Sequence, residues 1–412
     1  MKAKCLSLFG ALAAFAAFGA VPEVKNVTWS QAADSQVTVN YDLIGDGRAI
    51  VTLDVLTNGV SIGLGNITHL CGDVSRVVAS GTGKRLYWQP EYDWADHAFG
   101  DGEITCKVTA WALDNPPDYM AVDLVYTNMC WYYTAPEAVP GGVTNSQYLS
   151  RYLLMRRIHA GGKTFMMGTP VQETYHNGVG ANYMTGDPYY CKKLDETRHP
   201  VTFTKDYYIG VFEWTVAQKG YVYGSLATPT DFSPESTVYQ YFADRATKLR
   251  EHTSIAFAVP TEAQWEYACR AGTDASLYSG KEVPTVSNST GANAPTVNEL
   301  GFTAAYTESM RGHSIYTRER GGQLKPNAWG LYDMFGNVSE WCSDWVDETP
   351  LSSNPVVDPT GLATGTLKAM RGGCSAFWFA EGRCGARVGY MATGSYGNFV
   401  GGRFVCPVTV TH

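Results

Sequence analysis

The sequence predicts a loop-rich α+β chain preceded by a small all-β sandwich domain, and three observations predict it. Residues 21 to about 112 alternate polar and apolar positions with period 2, in runs such as QVTVNYDL, AIVTLDVLT and EITCKVTAW. Further on, Thr215 with Gln218 and Thr261 with Gln264 form capping-box pairs, which open short helices between strand-like segments. Gly (43), Tyr (26) and Trp (11) are abundant among the 412 residues, a balance that favours strands and loops over helical bundles.

Taken in order, residues 1–20 carry Lys2 and Lys4, then a short Ala-rich apolar stretch, then small residues at Gly19 and Ala20. That is the layout of a secretory signal peptide, too short and too Ala-rich for a membrane anchor. The expected location of the mature chain is therefore secreted, periplasmic or cell-surface, with no transmembrane anchor left after signal removal. Ten cysteines less Cys5 leave nine, in a compartment that permits disulfides. The 21–112 segment, punctuated by turn signals such as Gly45-Asp46-Gly47, reads as a sandwich of immunoglobulin or fibronectin-III type. Residues 113–150, with DNPPD and APEAVPGG, read as a linker. A second domain spans 151–412. It opens with a hairpin signal around Gly161-Gly162 and continues through HPVTFTKDYYIGVFEWT to the two capped helices.

The stretch from Pro326 to Trp345, PNAWGLYDMFGNVSEWCSDW, follows neither helical nor strand period and reads as irregular, tightly packed backbone. Asp333 and Glu340 flank the carbonyls of Gly336 and Val338. Such hard oxygens suit Ca²⁺, and they suit turn capping equally well.

Several function classes are excluded. A net charge of −8, with no basic run interleaved with aromatics, gives no footprint for nucleic acid. No cysteine or histidine group has zinc spacing, and neither GxSxG nor HExxH occurs. His199, at a strand entry, reads as a packing or turn residue rather than a ligand.

GGKTFMMGT, HPVTFTKDYYIGVFEWT, VPTEAQWEYACRAGT, NAWGLYDMFGNVSEWCSDW, RGG at 371–373 and RCGAR at 383–387 occur in a telling order. In that order they resemble the formylglycine-generating enzyme, or sulfatase-modifying factor, family over about residues 151–407. The resemblance implies a C-type-lectin-like fold, and an N-terminal β-sandwich is an arrangement common among exported bacterial members. It also implies a calcium site with side chains from Asp333 and Glu340 and backbone oxygens from Gly336 and Val338. Members that oxidise a sulfatase cysteine hold copper between two nearby cysteines, a pairing suited to Cu(I). Here the corresponding interval, CSAFWFAEG, has Cys374 alone, with Phe379 at the second position. Copper and oxidase activity are therefore not expected, and Cys374 is a catalytic candidate only if the chain is an oxidase after all. The resemblance further pairs Cys269 with Cys406 as a disulfide and makes Cys384 half of another, its partner left open among Cys374, Cys342 and Cys191. Phe377, Trp378, Phe379, Tyr390, Tyr396 and Phe399 lie among Gly, Ser and Ala in the tail, a composition like that of an adaptable binding surface. The expected function is an exported, calcium-stabilised module binding a protein or glycan ligand, with a formylglycine-generating oxidase, or other chemistry in the same cleft, as the alternative.

Overall fold

The computed structural model describes residues 22–94, 99–100, 102–127, 129–170, 191–224, 230–282, 299–301, 318–375, 379–393 and 399–408. The export segment read at 1–20 lies outside them. Among the described residues no helix is long and apolar enough to cross a membrane.

The amino-terminal strands are β1 (Glu23–Gln31), β2 (Val37–Thr57), β3 (Val60–Ser61), β4 (Leu70–Gly72), β5 (Val77–Trp88) and β6 (Ile104–Trp111), with a one-turn helix α1 (Pro90–Asp93). Where two sheets of a sandwich are expected, all six strands hydrogen-bond into one sheet, ordered β1-β2-β5-β4 with β3 and β6 also on β2. The cause is the 21-residue β2. Its first half pairs with β1 and β5, and its second half with β6 and the start of β5, with register shifts between Tyr41 and Arg48. Apolar residues of both halves, including Val39, Tyr41, Val51 and Val55, meet Leu86, Trp88 and Cys106 in one core.

The 113–150 segment is not a linker. It supplies β7 (Tyr119–Asp123) and β8 (Cys130–Tyr133), which pair with β9 (Tyr152–Ile158) and extend the sheet of the following unit. Every residue of β7 is buried, a degree of burial that Pro-rich flanks do not announce. The strands after β9 are β10 (Thr164–Met167), β11 (Cys191–Lys193), β12 (His199–Thr202), β13 (Tyr207–Gly210) and β14 (Ser339–Val346). They are followed by β15 (Val356–Val357), β16 (Leu367–Arg371), β17 (Val388–Met391), β18 (Val400–Gly401) and β19 (Val405–Pro407). They form three sheets, ordered β19-β13-β9-β7-β8, β11-β17-β16-β14-β18 and β10-β12-β15. The expected hairpin around Gly161-Gly162 does not form, because β9 pairs with β7 and β13 while β10 pairs with β12.

Three longer helices complete the unit: α2 (Val216–Tyr223), α3 (Tyr239–Thr253) and α4 (Glu262–Arg270). Thr215 and Thr261 close reciprocal capping boxes with Gln218 and Gln264, as their sequence spacing predicts. The intervening α3 buries Phe242, Ala246, Leu249 and Thr253, a stripe of helical period. The 326–345 stretch is irregular only as far as Val338; from Ser339 it is strand β14.

Candidate functional site

The chemistry-bearing residues of the second unit converge on α4. Its Ala263, Trp265, Ala268 and Cys269 enter the core, while Glu262, Glu266 and Arg270 follow one another at spacings of four along its length. The arginines of the RGG and RCGAR motifs meet these carboxylates. Arg371 donates to Glu262 Oε1 and Glu266 Oε2, each at 2.8 Å, and to the Cys384 carbonyl at 2.9 Å. Arg387 grips both oxygens of Glu262, at 2.8 and 2.6 Å, and donates to the Asp195 carbonyl. Arg270 reaches Glu266 Oε1 at 2.8 Å and the Gly168 carbonyl at 2.7 Å. Burial alone would raise the Glu262 carboxyl, but Arg387 and Arg371 outweigh it and bring it down to about 2. These buried forks tie the ends of two strands to the helix, as expected of structural guanidinium groups.

A second cluster sits under the 326–345 loop. Asp333 and Asn337 both adopt left-handed backbone, which Asp and Asn tolerate better than most residues. Asn337 donates to Glu213 Oε2 at 2.6 Å and accepts from the Glu319 N–H at 2.9 Å; the Val338 N–H donates to Glu213 Oε1. Asp333 Oδ2 accepts from the Gly322 N–H, while Oδ1 is buried without a hydrogen-bond partner. Burial raises Asp333 to about 6 and lifts Glu213 well above the carboxylate range, with Asp333 and Glu340 adding to the rise in Glu213.

Of the expected calcium ligands Asp333, Gly336, Val338 and Glu340, the two carboxylates differ in the partners they have here, Asp333 keeping one oxygen open among the described residues. Both oxygens of Glu340 are engaged by Arg403, with contacts of 2.7 to 3.0 Å, and Oε2 also accepts from Trp265 Nε1 at 2.9 Å. The Arg403 guanidinium supplies the positive charge beside Glu340 in this structure. Among the described residues no group of three or more His, Cys, Asp or Glu side chains is arranged to hold a metal ion.

The tail aromatics divide. Phe377, Trp378 and Tyr396 lie outside the described residues, and for Phe379 only the backbone is described, in the turn Phe379–Gly382. Tyr390 and Phe399 do not belong on an exposed face. Tyr390 is 1% exposed with its ring 5.9 Å from Trp341, and Phe399 is 9% exposed. Cys374 is buried at the start of this segment. Near it, Glu381 is buried and pushed up to about 8, burial outweighing Lys193 and Arg383; among the described residues its Oε1 and the Ser375 hydroxyl have no hydrogen-bond partner.

The expected Cys269–Cys406 pairing is corrected. Strand alternation sends Val405 into the core that holds Cys269 and turns Cys406 to the opposite face, beside Tyr208 and near Cys130. The neighbour of Cys269 is Cys384, with 3.6 Å between the sulfurs.

Glu213, Glu262, Glu266 and Arg403 were not singled out by sequence reasoning. Glu262 and Glu266, charged and four apart on a helix with an apolar face, were the available signal; Glu213 and Arg403 carried none.

A sheet-rich, loop-dominated domain, its irregular segments pinned to one helix by buried arginine–carboxylate pairs, is the class of structure these contacts define. Residues 180–407, just over half of the chain, match the family model described as the sulfatase-modifying factor enzyme 1-like domain. The chain belongs to that family. The formylglycine-generating enzyme of Streptomyces coelicolor is 32% identical over 148 residues, which cover 34% of this chain and 44% of that protein. The formylglycine-generating enzyme of Bos taurus is 30% identical over 132 residues, 31% of this chain and 33% of that one. The serine/threonine-protein kinase pkn1 of Chlamydia pneumoniae is 36% identical over 132 residues, 31% of this chain and 18% of that one. The chain thus spans less than half the length of these curated relatives. Among solved structures, Treponema denticola variable protein 1 aligns at a TM-score of 0.46 and 21% identity, covering 62% of this chain and 95% of that one. PvdO from Pseudomonas aeruginosa aligns at 0.47 and 19%, covering 62% and 94%.

Proposed function

We propose that this chain is an exported binding member of the family, with a C-type-lectin-like fold, and that it recognises a protein or glycan ligand without the paired-thiol copper chemistry of an oxidase. The observation that carries this reading is the interval from Cys374 to Gly382, which offers one cysteine, with Phe379 where a second thiolate would complete a Cu(I) pair. Burial of the Cys374 side chain supports it further, because a thiol shielded from solvent is a poor nucleophile and a poor point of entry for a metal. Of the tail aromatics, Phe377, Trp378, Phe379 and Tyr396 remain the candidate contact residues; Tyr390 and Phe399 serve the core. Export rests on the charged and apolar pattern of residues 1–20.

The test is Cu(I) titration of the purified chain together with turnover of a peptide carrying a sulfatase cysteine motif. The expected result is no stoichiometric copper and no aldehyde on the peptide. Copper binding that disappears in Cys374→Ala, with aldehyde formed by the parent chain, would overturn the proposal and assign the chain to the oxidases.

A further inference from the structure

Glu262 opens α4 against a cavity of about 250 Å³ that shares no residue with the Cys374–Gly382 interval. Its walls are largely apolar, with Met167, Ala263, Trp345, Val346 and Leu362 among them, and its rim lies at the exposed residues 347–350. Four buried polar or charged side chains line it, Glu262, Arg387, Asp344 and His199, and the last two keep an open acceptor. Asp344 is 3% exposed, and its Oδ2 accepts from the Glu262 N–H at 2.8 Å and from the Ser343 hydroxyl at 3.3 Å. Among the described residues its Oδ1 accepts nothing. His199 is 6% exposed and its Nδ1 lies 2.9 Å from the Thr197 carbonyl. A carbonyl can only accept, so Nδ1 carries a proton; in the neutral ring Nε2 then presents a lone pair, with no partner among the described residues.

We infer that this cavity is a small-molecule site that receives the ammonium, or another N–H-bearing head, of a ligand with a short apolar body, Asp344 and His199 being the acceptors. The open polar atoms are both acceptors, so the complementary ligand must bring donors. The other buried charged groups lining the cavity are already committed, and Asp347 lies exposed at the rim, where it accepts from the Thr349 N–H. Glu262 is neutralised by Arg371 and Arg387, and every donor contact of Arg387 is made with Glu262 or the Asp195 carbonyl. Two cations share a field with Asp344: Arg387 is committed as above, and Lys368 donates to the Ser343 carbonyl and lies over the rings of Trp345 and Tyr239. Asp344 thus keeps one oxygen for an incoming cation in a setting where burial penalises a bare carboxylate. The volume suits a ligand of amino-acid size, below the several hundred Å³ of sites for larger molecules.

The site is tested by titrating n-butylammonium into the full chain at about pH 8, where the amine is cationic and Asp344 ionised, following tryptophan fluorescence and calorimetry. n-Butanol and butyrate are the comparison probes. Saturable binding of the ammonium, with butanol weaker and butyrate absent, is expected. Asp344→Asn keeps an acceptor for the Glu262 N–H and should weaken ammonium binding by about tenfold or more. Leu362→Trp, at the exposed rim, should block it. His199→Gln gives a second reading should Asp344→Asn fail to fold, and it too should weaken binding. Failure to saturate, equal affinity for the three probes, or ammonium affinity unchanged in folded Asp344→Asn or His199→Gln would overturn the inference. The copper and peptide assay above does not bear on it, so the two proposals stand or fall separately.

Discussion

Replacing Arg403 with methionine removes the counter-charge from three buried carboxyl groups. Arg403 is fully buried, holds both oxygens of Glu340, and donates to the carbonyls of Gly210, Val211 and Tyr332. Glu213 and Asp333 lie within its field. Methionine fills most of the volume but leaves the Glu340 carboxyl buried beside Glu213 and Asp333 without its guanidinium partner. Removing one partner of a buried ion pair costs about 3–5 kcal/mol. The stranded carbonyls add on the order of 1 kcal/mol or more between them. Against a net stability of about 5–15 kcal/mol, the variant is expected to be largely unfolded or close to it. Urea unfolding followed by tryptophan fluorescence measures the loss. Pairing the change with Glu340→Gln isolates the ion pair, since the double variant strands no charge. It should be more stable than the sum of the single losses by about 2–3 kcal/mol. A single variant within about 1 kcal/mol of the parent, or a strictly additive cycle, would refute the assignment of Arg403 as the charge that holds the loop.

Three further outcomes are expected. Mild oxidation should link Cys269 to Cys384, detected as a crosslinked peptide by mass spectrometry under non-reducing conditions; a Cys269–Cys406 crosslink would contradict the core packing. EGTA should leave the melting temperature within about 1 °C of its starting value, because Arg403 already serves Glu340; a fall that calcium restores would show that a cation displaces the guanidinium. Burial holds the Asp344 proton up to about 7 in the folded chain, against 3.8 for the free group. The folded state therefore binds more protons than the unfolded state between these values, and this group's contribution to stability falls as pH rises through that window. Asp344→Asn should remove that part of the slope from a denaturant series run across the window; an unchanged slope would refute the burial of an ionisable group there.

What the sequence made legible was local. The two capping boxes work because side chain and backbone lie within one turn, so Thr215, Gln218, Thr261 and Gln264 could be read directly. The strands of residues 23–111 were likewise visible in their alternation. The long-range pairing was not. Nothing in VNYDLIGDGRAIVTL says that one strand will bend and serve both halves of a sheet, and nothing in DNPPDYMAVD marks a fully buried strand. The ion pair of Glu340 was hidden for the same reason: its partner Arg403 lies 63 positions away and is brought to it by β18 pairing with β14. The Cys269 pairing failed on a single alternation, since Val405 and Cys406 face opposite cores. Helix α3 was missed although its apolar stripe is regular, because Arg, Lys and Glu dominate its surface and lower its mean hydropathy.

The sheet ordered β19-β13-β9-β7-β8 takes one edge from residues 130–133 and the other from residues 405–407. A chain emerging amino-terminus first can assemble β7, β8, β9 and β13 early, but the edge of β13 stays open until residues 405–407 have been delivered. During that interval an unpaired strand edge and the apolar residues that Val405 and Cys406 later cover are exposed together, the condition under which partly folded chains associate. Completion of this sheet is thus tied to the delivery of β19. Loss of β19 should trap it short of closure, whatever the state of the sheet that precedes it.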